Sequence, residues 1–212
     1  MKIRESPPPI APRLTLRRPT SDDAPEVAGL LGDGSVMRFL GGAVPPDRAV
    51  RRLQNDLDHW RRHGYGLLVL EAAVRMGDDG AERQVFAGLA GLQIFEGDPD
   101  LSYVIAPPLW GQGLGTEAAV ACLKWAFGPL GLPLVRAVVH RRHTVSQRVL
   151  DKAGMRYMSD RSMWGQPHMR YAVTAYEWPA RVGLLAPATK PISILRAAPD
   201  PGAAPLRTPQ PR

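Results

Sequence analysis

Residues 110–119 read WGQGLGTEAA, and the rest of the chain is best interpreted from this stretch. Glycine occupies three alternate positions, Gly111, Gly113 and Gly115, before the sequence changes to residues that favour a helix. Glycine allows positive φ and lets a ligand approach the main chain. Successive exposed N–H groups form an anion-binding nest, and the helix predicted to begin at Thr116 adds the positive end of its dipole. The pattern therefore indicates a site for phosphate or pyrophosphate.

Two familiar phosphate-binding motifs do not fit this stretch. A P-loop would have a Lys directly after its last glycine, where this chain has Thr116. The dinucleotide fingerprint has a different glycine spacing and is followed by further βα units. A flexible glycine linker is the alternative that the ten residues alone leave open.

Composition predicts one soluble domain. The chain has 212 residues, of which 44% are hydrophobic, enough for one core and some excess. No apolar run reaches the roughly 18–20 residues that span a bilayer. The opening MKIRESPPPI lacks the apolar region of a secretory signal. A single cysteine, Cys122, excludes a disulfide framework and a cysteine-based metal site. We therefore expect a cytoplasmic protein with no metal.

The charge is strongly positive but unevenly distributed. A formal charge of +7 favours an anionic partner, such as nucleic acid or a polyphosphate ligand. Residues 181–212 hold five Lys or Arg and one Asp, so four of the seven net charges lie in the tail. The remaining +3 is too small to indicate nucleic-acid binding, and we expect neither a nucleic acid nor a membrane as partner.

Both ends of the chain are predicted to be disordered. Residues 1–12 contain four prolines, and seven more occur from Pro187 to the end. An apolar patch, ISIL at 192–195, could dock on the domain, but its surroundings resemble a linker. The sequence therefore predicts a disordered N-terminus over 1–12, one domain over 13–180 and a disordered tail over 181–212.

The order of the predicted elements sets the fold class. The segment 45–64 is an amphipathic helix in which Val50, Leu53, Leu57 and Trp60 form the apolar stripe. Further helices are predicted over 20–32, 116–127 and 144–154, the last stopped by Gly154. Strands are predicted over 13–19, 65–73, 84–95, 100–106, 133–140, 155–158 and 168–178, with a hairpin turn at Asp79-Gly80. Strands that first follow one another and then alternate with helices predict an α/β protein with a mixed sheet flanked by helices.

Two longer stretches carry a family resemblance. DLSYVIAPPLWGQGLGTEAAVACLKWAF at 100–127 and HTVSQRVLDKAGM at 143–155 resemble the GNAT N-acetyltransferase superfamily, in particular the branch of ribosomal-protein alanine and serine N-terminal acetyltransferases. The family's acetyl-CoA loop, Gln/Arg-x-x-Gly-x-Gly/Ala, corresponds to residues 110–115 here, with Trp110 departing from the first position. The resemblance extends over about 13–179. It implies a splayed central sheet and acetyl-CoA as cosubstrate.

The resemblance also implies which residues hold acetyl-CoA. The pyrophosphate would rest on main-chain amides of Gly111, Gln112, Gly113, Leu114 and Gly115, with Thr116 touching it. The pantetheine would pair with the open edge of the preceding strand at Val104 and Ile105. Pro107-Pro108 stop sheet pairing just beyond that point. His143 stands where the family usually has Asn, a pantetheine ligand.

Acetyl transfer to an amine needs a neutral amine and a donor for the developing oxyanion. Asp100 is the candidate base, acting through a water because Asp is shorter than the Glu that is common in this branch; the alternative is a solvated turn acid. We assign the oxyanion donor to the Ile105 N–H. Ser146 matches a family serine that hydrogen-bonds the CoA sulfur, and the alternative is an ordinary first-turn residue. Leu150 replaces the tyrosine that many superfamily members use as general acid.

The resemblance therefore implies an acetyl-CoA-dependent N-acetyltransferase that acts by direct attack in a ternary complex. The acceptor is a primary amine, either a protein N-terminus or a small molecule, and a homodimer is compatible with the sequence. A non-catalytic CoA-binding regulatory or ribosome-associated module is the alternative from another class.

Overall fold

The computed structural model describes residues 7–76, 81–179 and 191–193. The predicted turn at Asp79-Gly80 and most of the predicted tail lie outside these ranges. The strands within them are β1 Leu14–Arg17, β2 Leu67–Met76, β3 Ala81–Phe95, β4 Asp98–Ile105, β5 Leu134–His140, β6 Arg156–Met163 and β7 Gln166–Thr174. The α-helices of the same ranges are α1 Ala24–Gly32, α2 Gly34–Met37, α3 Pro46–His63, α4 Leu114–Phe127 and α5 Thr144–Lys152. None of these helices is long and apolar enough to cross a membrane.

The strands form one mixed sheet in the order β1-β2-β3-β4-β5-β7-β6. Neighbouring strands are antiparallel except β4 and β5, which are parallel. A parallel connection needs a crossover, and α4 supplies it. The prediction of a mixed sheet flanked by helices is therefore confirmed.

The sheet splays between its two parallel strands. β4 pairs with β3 from Phe95↔Asp98 to Gly88↔Ile105, but it meets β5 at only one register position, Asp100↔Arg136. The two strands separate beyond this position. The C-terminal half of β4 consequently presents an edge that β5 does not cover.

Side chains of β4 alternate between two cores. Leu101, Tyr103 and Ile105 belong to the cluster that α4 and α5 cover, whereas Val104 packs in the cluster that α1 and α3 cover. Because side chains of a strand alternate, Asp100 lies on the α1–α3 face with Val104. Cys122 of α4 is fully buried, and burial raises the pKa of its thiol to about 12.

One predicted helix has a different buried stripe. α3 buries Ala49, Leu53 and Trp60, whereas Val50 is 47% exposed, so the prediction that Val50 belongs to the apolar stripe is wrong. Its apolar character does not decide which face of the helix meets the sheet. The helix ends as expected for its sequence, at Gly64 with φ 74°.

Part of the predicted disordered ends contacts the domain. Residues 7–12 have no regular secondary structure, yet Ala11 packs against the core. Near the other end, Ile192 forms a parallel bridge with Val74 of β2 and is only 4% exposed. The expected disorder therefore does not apply to residues 191–193, because burial of the Ile192 side chain holds them on the domain. For the residues outside the described ranges it stays a prediction.

Candidate active site

The glycine loop joins β4 to α4. A short 3-10 turn, Pro107–Leu109, precedes it, and α4 begins at Leu114, two residues earlier than predicted. Gly111 has φ 76° and Gly113, the N-cap of α4, has φ 80°. Any other residue would be strained at these two positions. Among the residues that the structure describes, no side chain caps this helix start, and the first N–H groups of a helix have no partner within it. The loop therefore presents main-chain donors where the helix dipole is positive.

The third glycine has a different role. A Cβ on Gly115 would lie 3.6 Å from Val149 of α5 and 3.9 Å from both Ile105 and Tyr103 of β4. Its missing side chain brings the first turn of α4 close to β4 and α5. Leu114, beside it, is 1% exposed and belongs to the core, whereas Thr116 is half-buried.

A buried ion pair holds the loop from the N-terminal side. The Arg13 Nε donates to Glu117 Oε2 at 2.9 Å, and the Arg13 side chain is 12% and the Glu117 side chain 7% exposed. The Arg13 Nη2 donates to the carbonyl oxygen of Gln112 at 3.0 Å. In a planar trans peptide, C=O and N–H point in opposite directions. The Gly113 N–H is therefore directed away from Arg13.

The open edge of β4 presents alternate residues. The Ala106 N–H donates to the Ala87 carbonyl on β3 at 2.9 Å, so the Ile105 N–H points to the splayed side. The Ile105 carbonyl accepts from Trp110 Nε1 at 2.6 Å. The Val104 carbonyl faces β3, where a Cβ on Gly88 would lie 2.0 Å from it. The main chain of Ile105 therefore lies at the open edge, whereas the Val104 carbonyl points to β3; the contact of a pantetheine with these two residues stays a prediction.

Asp100 is a buried strand residue and not a solvated turn acid. It is 9% exposed, and its register neighbours are Gln93 on β3 and Arg136 on β5. Burial raises the pKa of Asp100 to about 7, while Arg170 and Arg136 oppose this shift. A carboxyl with this pKa exchanges protons near neutral pH, as a general base must.

Further charged groups lie on the strands around Asp100. Glu96 accepts from Arg161 and Arg170, and Arg136 donates to Asp98. On the α3 side, Gln93 Nε2 donates to Asp56 Oδ1 at 2.6 Å, and burial raises the pKa of Asp56 to about 6. Glu96 and Asp98 are therefore paired with arginines, and Asp56 with the amide of Gln93.

Ser146 is half-buried on α5 and meets a tyrosine of β4. The Tyr103 hydroxyl donates to the Ser146 carbonyl at 3.0 Å and lies 2.8 Å from Ser146 Oγ. Since the tyrosine proton is used on the carbonyl, the serine hydroxyl is free to donate either to Tyr103 or to another acceptor. Burial raises the pKa of Tyr103, so it stays protonated. Leu150, at the position of the family's tyrosine, is a core residue with 1% exposure.

His143 is part of an aromatic cluster. Its ring stacks on Phe39 with 4.7 Å between ring centroids, and Phe39 also contacts His140 at 5.2 Å. Burial lowers the pKa of His143, and His140 lowers it further, so the ring is neutral at pH 7. Within the described ranges no three His, Cys, Asp or Glu side chains are placed to hold a metal ion.

Sequence reasoning missed Arg13, Glu117 and Tyr103 as site residues. Arg13 and Glu117 are 104 positions apart, and no local pattern connects them. A signal for Tyr103 did exist, since strand alternation puts it on the face of Ile105. Its contact with Ser146 also requires α5 to lie beside β4, which only the tertiary fold establishes.

Comparison with known proteins identifies the class. The splayed sheet and the glycine loop at a helix N-terminus define an acyltransferase-like fold, and a family model described as the acetyltransferase (GNAT) domain matches residues 13–156. The chain belongs to the GNAT acetyltransferase family, and it is an N-acetyltransferase.

Individual relatives resemble nearly the whole domain. An uncharacterised Bacillus subtilis protein, YkkB, is 28% identical over 173 residues, which cover 79% of this chain and 95% of YkkB. A spermidine N-acetyltransferase from Vibrio cholerae, solved with CoA and spermine, aligns with TM-score 0.62 and 16% identity over 78% of this chain and 98% of its own. RimL, a ribosomal L7/L12 α-N-protein acetyltransferase solved with coenzyme A, aligns with TM-score 0.60 and 12% identity over 78% and 96%. These two structures share the fold.

Proposed function

We propose that this protein transfers an acetyl group from acetyl-CoA to a primary amine by direct attack in a ternary complex. One observation carries the proposal: β4 has a buried carboxyl at one end, Asp100, and an uncovered edge that leads into the glycine loop at the other. A single strand therefore connects a group able to accept a proton with a main-chain anion site. This is the layout that aminolysis of a thioester needs.

The residues of the loop fit the donor substrate. Positive φ at Gly111 and Gly113 and the uncapped start of α4 provide main-chain N–H groups for a pyrophosphate. Those of residues 111–115 would hold it, with Thr116 at the same helix start. The edge of β4 at Ile105 would pair with the pantetheine arm, and the half-buried ring of His143 would border that arm on the α5 side.

Asp100 then serves as the base. Above pH 7 its carboxylate accepts the proton of the attacking amine through water, because Asp100 lies five residues before Ile105 on β4 and does not reach the amine directly. The amine nitrogen bonds to the thioester carbon, and the Ile105 N–H donates to the oxyanion that forms. The C–S bond then breaks. Ser146 Oγ donates to the departing sulfur, and Tyr103 fixes the orientation of Ser146.

The leaving group requires little acid assistance. A thiol has a pKa near 8.5, so its thiolate is a stable product at neutral pH. A serine held by Tyr103 is therefore sufficient, and the chain uses Leu150 as a core residue where many relatives have a tyrosine.

The charges around Asp100 favour a monoamine acceptor over a polyamine. Glu96 and Asp98 near Asp100 are already paired with arginines, so a polycationic acceptor would have to displace Arg161, Arg170 or Arg136. The Vibrio cholerae relative acts on spermidine and RimL on a ribosomal protein. We accordingly favour a protein N-terminus or a small monoamine for this chain.

The proposal is tested by offering acetyl-CoA and a panel of amines to the full chain and measuring free thiol. The panel pairs a peptide with a free Ala or Ser N-terminus against its blocked form, and a simple monoamine against spermidine. Calorimetry measures acetyl-CoA binding beside it. Thiol release with the free peptide or the monoamine supports the proposal. Binding without thiol release from any amine would instead support a non-catalytic CoA-binding module.

A further inference from the structure

Gln112 is held from two directions although it lies between two glycines. Its neighbours Gly111 and Gly113 both have positive φ, and glycine loses more conformational freedom on ordering than any other residue. Its carbonyl oxygen accepts from Arg13. Its side-chain amide contacts the C-terminal segment of the chain, residues 191–193.

The contact with the C-terminal segment is reciprocal. Gln112 Nε2 donates to the Ser193 carbonyl at 2.5 Å, and the Ser193 N–H donates to Gln112 Oε1 at 2.9 Å. The side-chain amide of Gln112 therefore pairs with both main-chain groups of one residue, Ser193, as a neighbouring strand would. Both hydrogen-bonding groups of this amide that face the segment are used.

The adjacent residue anchors the segment to the domain. Ile192 is 4% exposed, belongs to the main core cluster and bridges Val74 of β2, itself fully buried. Burial of Ile192 fixes the position of the main chain that follows it, so Ser193 is held in place where it contacts Gln112. The chain thus ties its glycine loop to its sheet through residues beyond 13–156, the part that the family model matches.

We propose that residues 191–193 are a positioning element for the acetyl-CoA site, which holds the glycine loop in its ligand-binding conformation through Gln112. The inference rests on the proposed binding of acetyl-CoA by this loop. A loop that is ordered before binding loses less entropy when the ligand arrives, and its affinity is correspondingly higher. Arg13 holds the main-chain carbonyl of the same residue, so the two contacts act together on Gln112.

A cycle of point variants in the full chain tests the proposal. Gln112→Ala removes the side-chain pairing but keeps the carbonyl that Arg13 holds, and Ile192→Ala loosens the anchor without changing the charge of the tail. The matched control is Gln54→Ala, an exposed glutamine on α3. Calorimetry with CoA and hydrogen exchange at residues 111–116 are measured for each protein.

We expect each variant to bind CoA about fivefold more weakly, as the loss of two hydrogen bonds and of loop order implies. Amide hydrogens of the loop should exchange faster in both variants. The double variant should bind CoA with the same affinity as whichever single variant binds it less tightly. KM for acetyl-CoA should rise in Ile192→Ala with kcat within about twofold, which a general loss of stability would not produce.

Two outcomes would overturn the proposal and are distinguishable from failure of the proposed function. CoA affinity within twofold of the unaltered chain in both variants means that the segment does not position the loop. Losses that multiply in the double variant mean that Ile192 and Gln112 act independently. If the unaltered chain itself binds no CoA, the proposed function fails instead.

Discussion

The two ends of β4 are constructed from different parts of the chain. At the C-terminal end, the loop from Gly111 to the start of α4 presents main-chain groups and has two glycines with positive φ. At the N-terminal end, the behaviour of Asp100 depends on side chains from other strands, among them Arg136 and Arg170. A main-chain site depends on backbone conformation, and a buried side-chain site depends on desolvation and charge. We therefore expect substitutions at the loop to alter binding, and substitutions at Asp100 to alter rate and pH dependence.

The largest expected effect is on the acetylation rate, at Asp100. Asp100→Asn should lower the acetylation rate about 100-fold, the lower range for loss of a general base, while acetyl-CoA affinity stays unchanged. The deficit should shrink at high pH, where free amine accumulates. The pH–rate profile against one amine measures this, with Asp160→Asn on β6 as an exposed control. A wild-type rate for Asp100→Asn at every pH would show that solvent removes the proton. Asp100 would then not affect the rate, and the expected difference between the two ends of β4 would be wrong.

At the loop end, Gly113→Val should weaken acetyl-CoA binding at least about tenfold, because a β-branched residue is strained at φ 80° and covers the main chain. Space is not the obstacle, since the nearest atom to a Cβ there is Arg13 Nη2 at 3.9 Å. Gly131→Val is the matched control: it has φ 63° and open surroundings, but follows the other end of α4. Equal losses of affinity in both variants, by calorimetry, would show that backbone strain alone is responsible.

A smaller effect is expected where the two regions meet. Ser146→Ala and Tyr103→Phe should each lower kcat about threefold to tenfold, as the loss of one or two hydrogen bonds implies, because a thiolate leaves readily. The double variant should resemble Ser146→Ala if Tyr103 acts through the serine. Rapid-quench measurement of the chemical step checks this. A 100-fold loss in Ser146→Ala would mean that the sulfur needs a true general acid.

The last expected effect concerns stability and not binding or rate. Because the pKa of Asp100 in the folded chain, about 7, lies above its ordinary value of 3.8, the folded state binds more protons between these values. Its contribution to stability is present at low pH and is lost as pH rises through 7. Asp100→Asn should therefore gain about 2–3 kcal/mol of stability relative to the unaltered chain on going from pH 5 to pH 8, because the folded state holds one extra proton over roughly two of these pH units. Urea unfolding at the two pH values measures the difference, and an equal difference at both would contradict the assigned burial.

The sequence was sufficient for the loop and insufficient for its surroundings, for a physical reason. Glycine allows positive φ for reasons of local sterics alone, and Gly111 and Gly113 have it, whereas Gly115 does not. The mixed sheet also followed from the order of local patterns. By contrast, Val50 is exposed because a different face of α3 packs on the sheet. Local periodicity does not show which face of a helix meets the sheet.

Contacts between distant residues explain the rest. Arg13 meets Glu117, and Gln112 meets Ser193, across 104 and 81 positions. Proline-rich composition correctly discourages helices and strands near 191–193, but it does not reveal that the single side chain of Ile192 enters the core. Asp100 could be selected from the sequence, whereas its burial required the positions of the neighbouring strands and of α3.

The buried thiol of Cys122 can be used to detect local opening of the folded chain. With a pKa of about 12 and no exposed surface, it reacts with alkylating or disulfide reagents only after α4 leaves the sheet. A colorimetric assay of released CoA thiol therefore has no background from the native protein, since the sequence has no other cysteine. The same helix begins at the glycine loop. The rate at which Cys122 is labelled therefore measures how often α4 opens locally, and a ligand bound at the loop would slow this labelling.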